Sequence, residues 1–120
     1  MATARILVVD DDQALCELLE IVLGEDGYVC ETATDVGEAL ERVGRAPFDV
    51  VLLDLGLNGE GEKFLQQYAH RNGRHPQVIM MTARPVEESF SQRAGVGAVL
   101  RKPFEIQDLS RVVREQLGVD

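Results

Sequence analysis

The feature that most constrains the fold is a fivefold alternation between short apolar runs, rich in β-branched residues, and longer segments with helical periodicity. The short runs predict strands at residues 6–9, 28–32, 50–53, 78–81 and 98–100. Runs that are apolar on both faces are typical of a parallel sheet buried between two layers of helices. The sequence therefore predicts an α/β sandwich built on five strands.

The segments between these runs predict the helices. The first helix has Asp12 as its predicted N-cap and Gly24 as its predicted end. The second opens with an Asp35-x-x-Glu38 capping pattern. Residues 87–94 predict only a short, weak fourth helix, and a fifth, strongly amphipathic helix closes the chain.

Length, charge and cysteine usage restrict the class of protein. A chain of 120 residues suffices for one domain, so residues 1–120 are expected to form a single one. A formal charge of −9 disfavours direct binding to nucleic acid or to an anionic membrane. Cys16 and Cys30 fit no metal-binding spacing and are expected in the core. We predict a reduced, cytoplasmic protein without a secretion signal or membrane span, monomeric or weakly dimeric.

Polar residues follow the ends of four predicted strands. They are Asp10, Asp11 and Asp12 after the first, Asp54 after the third, Thr82 after the fourth, and Arg101 and Lys102 after the fifth. In an open parallel sheet, ligands bind outside the carboxyl ends of the strands, where the strand order reverses. If the strand order is 2-1-3-4-5, these side chains converge on one shallow pocket.

Each residue also has a simpler structural interpretation. Asp12 is a natural helix cap, Asp54 could cap the next helix or pair with Lys102, and Thr82 could form a local turn. Their joint placement at four strand ends favours a common site. Clustered carboxylates repel one another unless a cation lies between them, and an all-oxygen site suits Mg²⁺.

The same placement suggests a role for each residue. Asp10 and Asp11 are candidate ligands of Mg²⁺, and Asp54 is a candidate nucleophile toward phosphorus. Lys102 and Thr82 are candidate partners of the phosphoryl oxygens.

Four stretches of the sequence resemble the receiver domain of two-component response regulators, the CheY-like superfamily. They are ILVVDDD at 6–12, DVVLLDL at 49–55, MTA at 81–83 and KPF at 102–104. The resemblance covers essentially the whole chain. It implies a doubly wound, flavodoxin-like (βα)5 fold with a parallel sheet of order 2-1-3-4-5. It also implies a regulatory domain that is not an enzyme and catalyses only its own phosphorylation and dephosphorylation.

The resemblance further implies the ligands of the metal and the phosphate acceptor. Asp54 would accept a phosphoryl group from the phosphohistidine of a histidine kinase or phosphotransfer protein. Mg²⁺ would be bound directly by Asp11, Asp54 and the Gly56 carbonyl, while Asp10 would act through water.

The resemblance assigns the switching role to residues on the last two strands. Lys102 would contact the phosphoryl group beside a cis Lys102–Pro103 bond. Thr82 would move toward the same group and reshape the face formed by the fourth and fifth helices and the fifth strand. That face would bind an output protein or domain whose identity the sequence leaves open.

Three features depart from the family pattern. Val99 stands where the family has its switch aromatic, three residues before the lysine. The glycine-rich loop after Asp54 is one residue short, has Asn58 in place of a proline, and is expected to be mobile. The segment between Thr82 and Ala94 is about two residues short, with Pro85 at the expected start of the fourth helix.

Two other functions stay open on the sequence. A receiver that no longer switches would serve as a protein-interaction module. Val99 and the short fourth helix favour it, whereas the complete set of site residues opposes it. A small Mg²⁺-dependent phosphohydrolase would use Asp54 as nucleophile. It is opposed by Gly56, which stands where a general acid is needed, and by the lack of a cap region.

Overall fold

The computed structural model describes residues 3–54, 56, 60–69, 76–83 and 96–118. Strands and helices alternate along this part of the chain. They are β1 (Arg5–Val9), α1 (Gln13–Glu25), β2 (Val29–Ala33), α2 (Val36–Arg45), β3 (Val50–Asp54), α3 (Glu60–Ala69), β4 (Gln77–Thr82), β5 (Ala98–Arg101) and α4 (Ile106–Leu117). The weak helix predicted at 87–94 lies outside the described residues, as do Asn58 and Pro85.

The five strands form one parallel sheet of order β2-β1-β3-β4-β5, as the resemblance implied. The order reverses at β1, which pairs with β2 on one side and with β3 on the other. The register places Val9 beside both Ala33 and Leu53, and Thr82 beside Arg101. The carboxyl ends of the strands therefore lie level with one another at one edge of the sheet.

The side chains of the sheet alternate between two hydrophobic cores. Ile6 and Val8 point into the core that α1 and α4 cover, whereas Leu7 and Val9 point into the core that α2 and α3 cover. All four of these side chains are fully buried. Burial on both faces explains why the first strand is a continuous apolar run and not an alternating one.

The predicted start of α1 is confirmed and its predicted end is wrong. The Asp12 carboxylate accepts a hydrogen bond from Leu15 N at 3.1 Å, as an N-cap residue does. The helix does not stop at Gly24 but continues to Glu25. The chain turns instead at Gly27, whose φ of 96° lies in the left-handed region that glycine adopts without strain.

The capping pattern of α2 is also present, with one change of partner. Asp35 Oδ1 accepts a hydrogen bond from Glu38 N at 2.7 Å. The Glu38 carboxylate bonds to Thr34 N at 2.9 Å, one residue before the position that a capping box uses. The helix is thus fixed at its first turn to the end of β2.

Both cysteines are free thiols in apolar surroundings. Cys16 is buried in the core under α1, and Cys30 packs against the same core from β2. Burial raises the pKa of Cys16 to about 11 and that of Cys30 to about 12. The predicted core position is confirmed for Cys16, whereas Cys30 is only partly buried. Within the described part of the chain, no helix has both the length and the apolar composition needed to cross a bilayer.

Candidate functional site

The ends of the strands determine where the candidate site residues lie. Asp10 follows β1, and its backbone N–H donates to Ala33 O at 3.1 Å, which extends the β1–β2 pairing by one step. Asp54 is the last residue of β3 and pairs in register with Met81. Lys102 follows β5, and its N–H donates to Thr82 O at 2.7 Å. The backbone at these positions therefore belongs to the sheet and not to free loops.

Three carboxylates converge at this edge. Asp10, Asp11 and Asp54 each offer one carboxylate oxygen, and these oxygens all lie within 4.8 Å of one another. Asp10 is fully buried and Asp54 is 8% exposed, whereas Asp11 faces solvent. The cluster is thus open on one side and enclosed on the other.

Lys102 lies beside two of the three acids. Its Nζ atom is 2.6 Å from Asp10 Oδ2 and 3.8 Å from Asp54 Oδ1. Burial alone lowers the pKa of Lys102, but the hydrogen bond to Asp10 and the charges of Asp10, Asp54 and Asp11 outweigh burial and raise it. Lys102 is therefore a fixed positive charge at neutral pH.

The sequence suggested Asp54 as the ion-pair partner of Lys102, and the structure shows that Asp10 is the closer one. Asp10 is the more deeply buried of the two acids, so it has more to gain from a directly hydrogen-bonded cation.

A backbone N–H group donates a hydrogen bond to one carboxylate oxygen of each buried acid. Gly56 N donates to Asp54 Oδ1 at 3.0 Å, and Asp12 N donates to Asp10 Oδ1 at 2.9 Å. Burial raises the pKa of Asp54, the Gly56 hydrogen bond and Lys102 oppose that rise, and the charges of Asp10 and Asp11 add to it. The net direction is upward, so the folded protein disfavours the ionised form of Asp54.

The donor set fits a magnesium ion. Mg²⁺ prefers hard oxygen ligands, commonly binds one or two carboxylates, and keeps several waters in its shell. The buried Asp54 and the exposed Asp11 supply carboxylate oxygens on the two sides of the cluster, and the solvent-facing side leaves room for water. A divalent cation would also relieve the repulsion and desolvation that raise the pKa of Asp54.

The structure brings the other predicted residues to the same edge. Thr82 is buried at the end of β4, where its carbonyl bonds to the Lys102 backbone. Gly56 lies two residues beyond Asp54 and is exposed. The Lys102–Pro103 peptide is cis, as the resemblance implied. Val99, in place of an aromatic residue, is 38% exposed on β5.

One contact to the site went unrecognised in the sequence. The Cys16 thiol donates to the Asp10 carbonyl oxygen at 3.2 Å and so connects the first turns of α1 to the end of β1. The spacing of six residues has no motif attached to it. Only the helix cap at Asp12, which predicts where α1 begins, hints that Cys16 faces the strand end.

Comparison with known proteins places this geometry in a family. The family model described as the response regulator receiver domain matches residues 6–114. The transcriptional regulatory protein PmrA of Pectobacterium parmentieri is 36% identical over 113 residues, which cover 92% of this chain and 50% of PmrA. The response regulator protein PilR of Pseudomonas aeruginosa is 36% identical over 121 positions, covering 98% of this chain and 27% of PilR. This chain thus spans half, or less, of the length of these two relatives.

Solved structures agree with the sequence relatives. A CheY-like receiver domain protein from Methanospirillum hungatei JF-1 superposes with a TM-score of 0.87 at 33% identity, over 98% of this chain and 95% of that chain. A receiver protein from Burkholderia phymatum gives a TM-score of 0.83 at 28% identity, over 98% of both chains. The fold and the family model together make this chain a member of the response regulator receiver domain family, the phosphorylation-controlled switches of two-component signalling.

Proposed function

We propose that Asp54 is the phosphoryl acceptor of this receiver domain. Its donor is the phosphohistidine of a histidine kinase or of a phosphotransfer protein. Asp11, Asp54 and the Gly56 carbonyl would hold Mg²⁺, and Asp10 would act on it through water. The observation that carries the proposal is the convergence of three carboxylates within 4.8 Å beside a lysine ammonium.

The choice of Asp54 among the three acids rests on its position. Asp10 is fully buried and hydrogen-bonded to Lys102, and Asp11 lies on the exposed side of the cluster. Asp54 lies between these extremes, at the end of β3. Its Oδ1 atom is bonded to Gly56 N, while Oδ2 has no hydrogen-bond donor among the described residues. We therefore assign Oδ2 as the attacking oxygen.

In the transfer step, Asp54 Oδ2 forms a bond to phosphorus as the bond between phosphorus and the partner's imidazole nitrogen breaks. The electron pair of the broken bond stays on the imidazole. The signal ends by hydrolysis: water attacks the phosphoryl group and releases inorganic phosphate and the free Asp54 carboxylate. When bound, Mg²⁺ supplies positive charge to the phosphoryl oxygens.

Two residues of this chain complete the pocket. Lys102 is 3.8 Å from Asp54 Oδ1, so its ammonium group is within reach of an oxygen on a phosphoryl group attached to Asp54. Thr82 ends the strand next to β3, where its hydroxyl group can respond to that oxygen. Lys102 thus stabilises the negative charge of the transferred phosphoryl group. Thr82 links the presence of that group to the conformation of β4.

The partners follow from the same assignment. A phosphohistidine-bearing protein delivers the phosphoryl group, and an output protein or domain reads the altered surface near β5 and α4. Val99 offers no aromatic ring, so the output surface signals without ring rotation. With a formal charge of −9, this domain is not expected to contact nucleic acid directly.

Intact mass spectrometry after incubation with acetyl phosphate and Mg²⁺ tests the proposal. We expect one phosphoryl adduct on the wild-type chain, none with Asp54→Asn, and far less when EDTA replaces Mg²⁺. The matched control is Asp12→Asn, because asparagine caps a helix as well as aspartate does and Asp12 lies next to the cluster. That control should form the adduct normally. An undiminished adduct on the Asp54→Asn chain would refute the assignment.

A further inference from the structure

The β2 edge of the sheet runs up to the acidic cluster, since Ala33 O accepts the hydrogen bond from Asp10 N. Among the described strands, β2 pairs with β1 alone, so one side of β2 is an edge. Val29 N donates to Ala4 O and Ala33 O accepts from Asp10 N, so Val29 and Ala33 direct their backbone groups toward β1. Because this direction alternates along a strand, the backbone groups of Cys30, Thr32 and Thr34 face outward.

Two side chains of α2 occupy the outward groups at the end of this edge. Glu38 Oε1 accepts from Thr34 N at 2.9 Å and from Thr34 Oγ1 at 3.1 Å. Arg42 Nε donates to Thr32 O at 3.0 Å, and its guanidinium lies 4.0 Å from Glu31 Oε1. Glu38 and Arg42 are four residues apart and therefore on one face of α2. We refer to these two residues as the edge caps.

Among the described residues, a groove of about 360 Å³ lies beside the edge, between α1 and α2. Glu17 and Glu20 line its α1 side, and the edge caps line its α2 side. The edge caps thus occupy backbone groups of the edge while the groove beside them stays unfilled by the described residues.

We propose that Glu38 and Arg42 prevent the β2 edge from pairing with the β2 edge of a second copy of this chain. The outward-facing backbone groups of β2 match those of a second copy. In an antiparallel pair centred on Thr32, Thr32 meets its own counterpart, and Cys30 of one copy meets Thr34 of the other. This arrangement is self-complementary, as a twofold interface requires. The edge caps occupy Thr32 O and Thr34 N, two groups that this pairing needs.

Charge adds a second barrier. Glu17 and Glu20 stand beside the edge, and the chain as a whole carries −9. Two copies meeting edge to edge would bring these acids together, and salt screens such repulsion between exposed groups. Pairing of an uncapped edge is therefore expected to strengthen with ionic strength.

Sedimentation equilibrium at high salt, on the double variant Glu38→Ala/Arg42→Ala, tests the proposal. We expect the dimer dissociation constant to fall at least tenfold below that of the wild-type chain. The single variant Arg42→Ala, which frees only Thr32 O, should lie between the two. The matched control is Glu41→Ala/Arg45→Ala, which removes the same charges from the same helix without uncapping the edge.

A further substitution distinguishes strand pairing from nonspecific association. Thr32→Pro removes an N–H that faces outward, and proline is tolerated on edge strands. Added to the double variant, it should restore the wild-type dissociation constant. The proposal is overturned if both uncapped variants sediment as the wild type does, or if Thr32→Pro leaves their association unchanged. Circular dichroism and the acetyl phosphate adduct confirm that each variant is folded.

Discussion

Replacing Lys102 with methionine should destabilise the metal-free protein strongly, and Mg²⁺ should reverse most of the loss. The substitution keeps an unbranched side chain but removes the ammonium group that lies 2.6 Å from the fully buried Asp10 carboxylate. At an effective dielectric constant of about 20, unit charges at this separation attract by roughly 6 kcal/mol. Part of that attraction only offsets the desolvation of the two groups.

The net loss follows from comparable buried pairs. Removing one partner of a buried ion pair costs about 3–5 kcal/mol, because the other charge is left uncompensated. One quarter of the Lys102 side chain is exposed, so we expect the lower value, about 3 kcal/mol. An unfolding entropy of about 2.1 cal/mol/K per residue gives roughly 0.25 kcal/mol/K for 120 residues. The melting temperature in EDTA should thus fall by about 12 °C.

Magnesium should reduce the difference in melting temperature between the wild type and Lys102→Met. In the wild-type protein, Mg²⁺ at a hundred times its dissociation constant stabilises the fold by about 2.7 kcal/mol. The variant should gain more at the same concentration, because no ammonium competes for the acids.

Differential scanning calorimetry of the wild type and of Lys102→Met, each in EDTA and in Mg²⁺, measures the four melting temperatures. The control is Lys63→Met, which breaks an exposed pair with Glu60 and should shift the melting temperature by only a few degrees. If Lys102→Met melts no lower than this control in EDTA, or if Mg²⁺ widens its gap to the wild type, the reasoning is refuted.

Three other substitutions test separate parts of the structure. Burial, together with the charges of Asp10 and Asp11, raises the pKa of Asp54, so Asp54 destabilises the metal-free fold increasingly as the pH rises above the unfolded value of 3.8 and through the folded one. Asp54→Asn should therefore raise the melting temperature in EDTA at neutral pH and reduce the gain from Mg²⁺; a lower value with a full gain would contradict this. Thr82→Ala should still accept a phosphoryl group but show smaller NMR shift changes along β4, and unchanged shifts would exclude Thr82 as the switch. Asp35→Ala removes the N-cap of α2 and should cost about 1 kcal/mol, or roughly 4 °C in a thermal melt.

The strand positions could be predicted from the apolar runs, whereas the strand order came from the resemblance to receiver domains; given that order, the identity of the converging residues follows from backbone topology. Apolar runs locate buried strands, and a right-handed parallel sheet leaves few ways to connect them. The exact ends of the strands were harder to predict than the positions of the strands. The apolar run stops at Leu53, but β3 continues to Asp54 because the backbone still pairs with Met81. A polar side chain ends a sequence pattern without ending a hydrogen-bond ladder.

Side-chain pairing within the site was beyond sequence reasoning. Lys102 and Asp10 are 92 positions apart, and their hydrogen bond depends on how far a flexible lysine reaches across the strand ends. The alternative partner, Asp54, has the same chemistry but lies 3.8 Å from the ammonium group, beyond hydrogen-bond distance. The preference for Asp10 reflects its deeper burial, which is a property of the folded core. The prediction that α1 ends at Gly24 failed because a glycine ends a helix only where the backbone turns, and here the turn lies at Gly27.

The backbone hydrogen bonds at Asp10 and Lys102 have a consequence for the speed of signalling. Each of these residues is held by the neighbouring strand one step beyond the end of its own, and Asp54 is itself part of the sheet. Asp10, Asp54 and Lys102 are consequently in position before any partner arrives, so their conformational entropy is lost during folding and not during the encounter. Under the proposed function, the rate of phosphoryl transfer to Asp54 should then depend on how often donor and acceptor meet in the correct orientation. A cell could shorten its response by raising the concentration of either protein, with no change in the pocket.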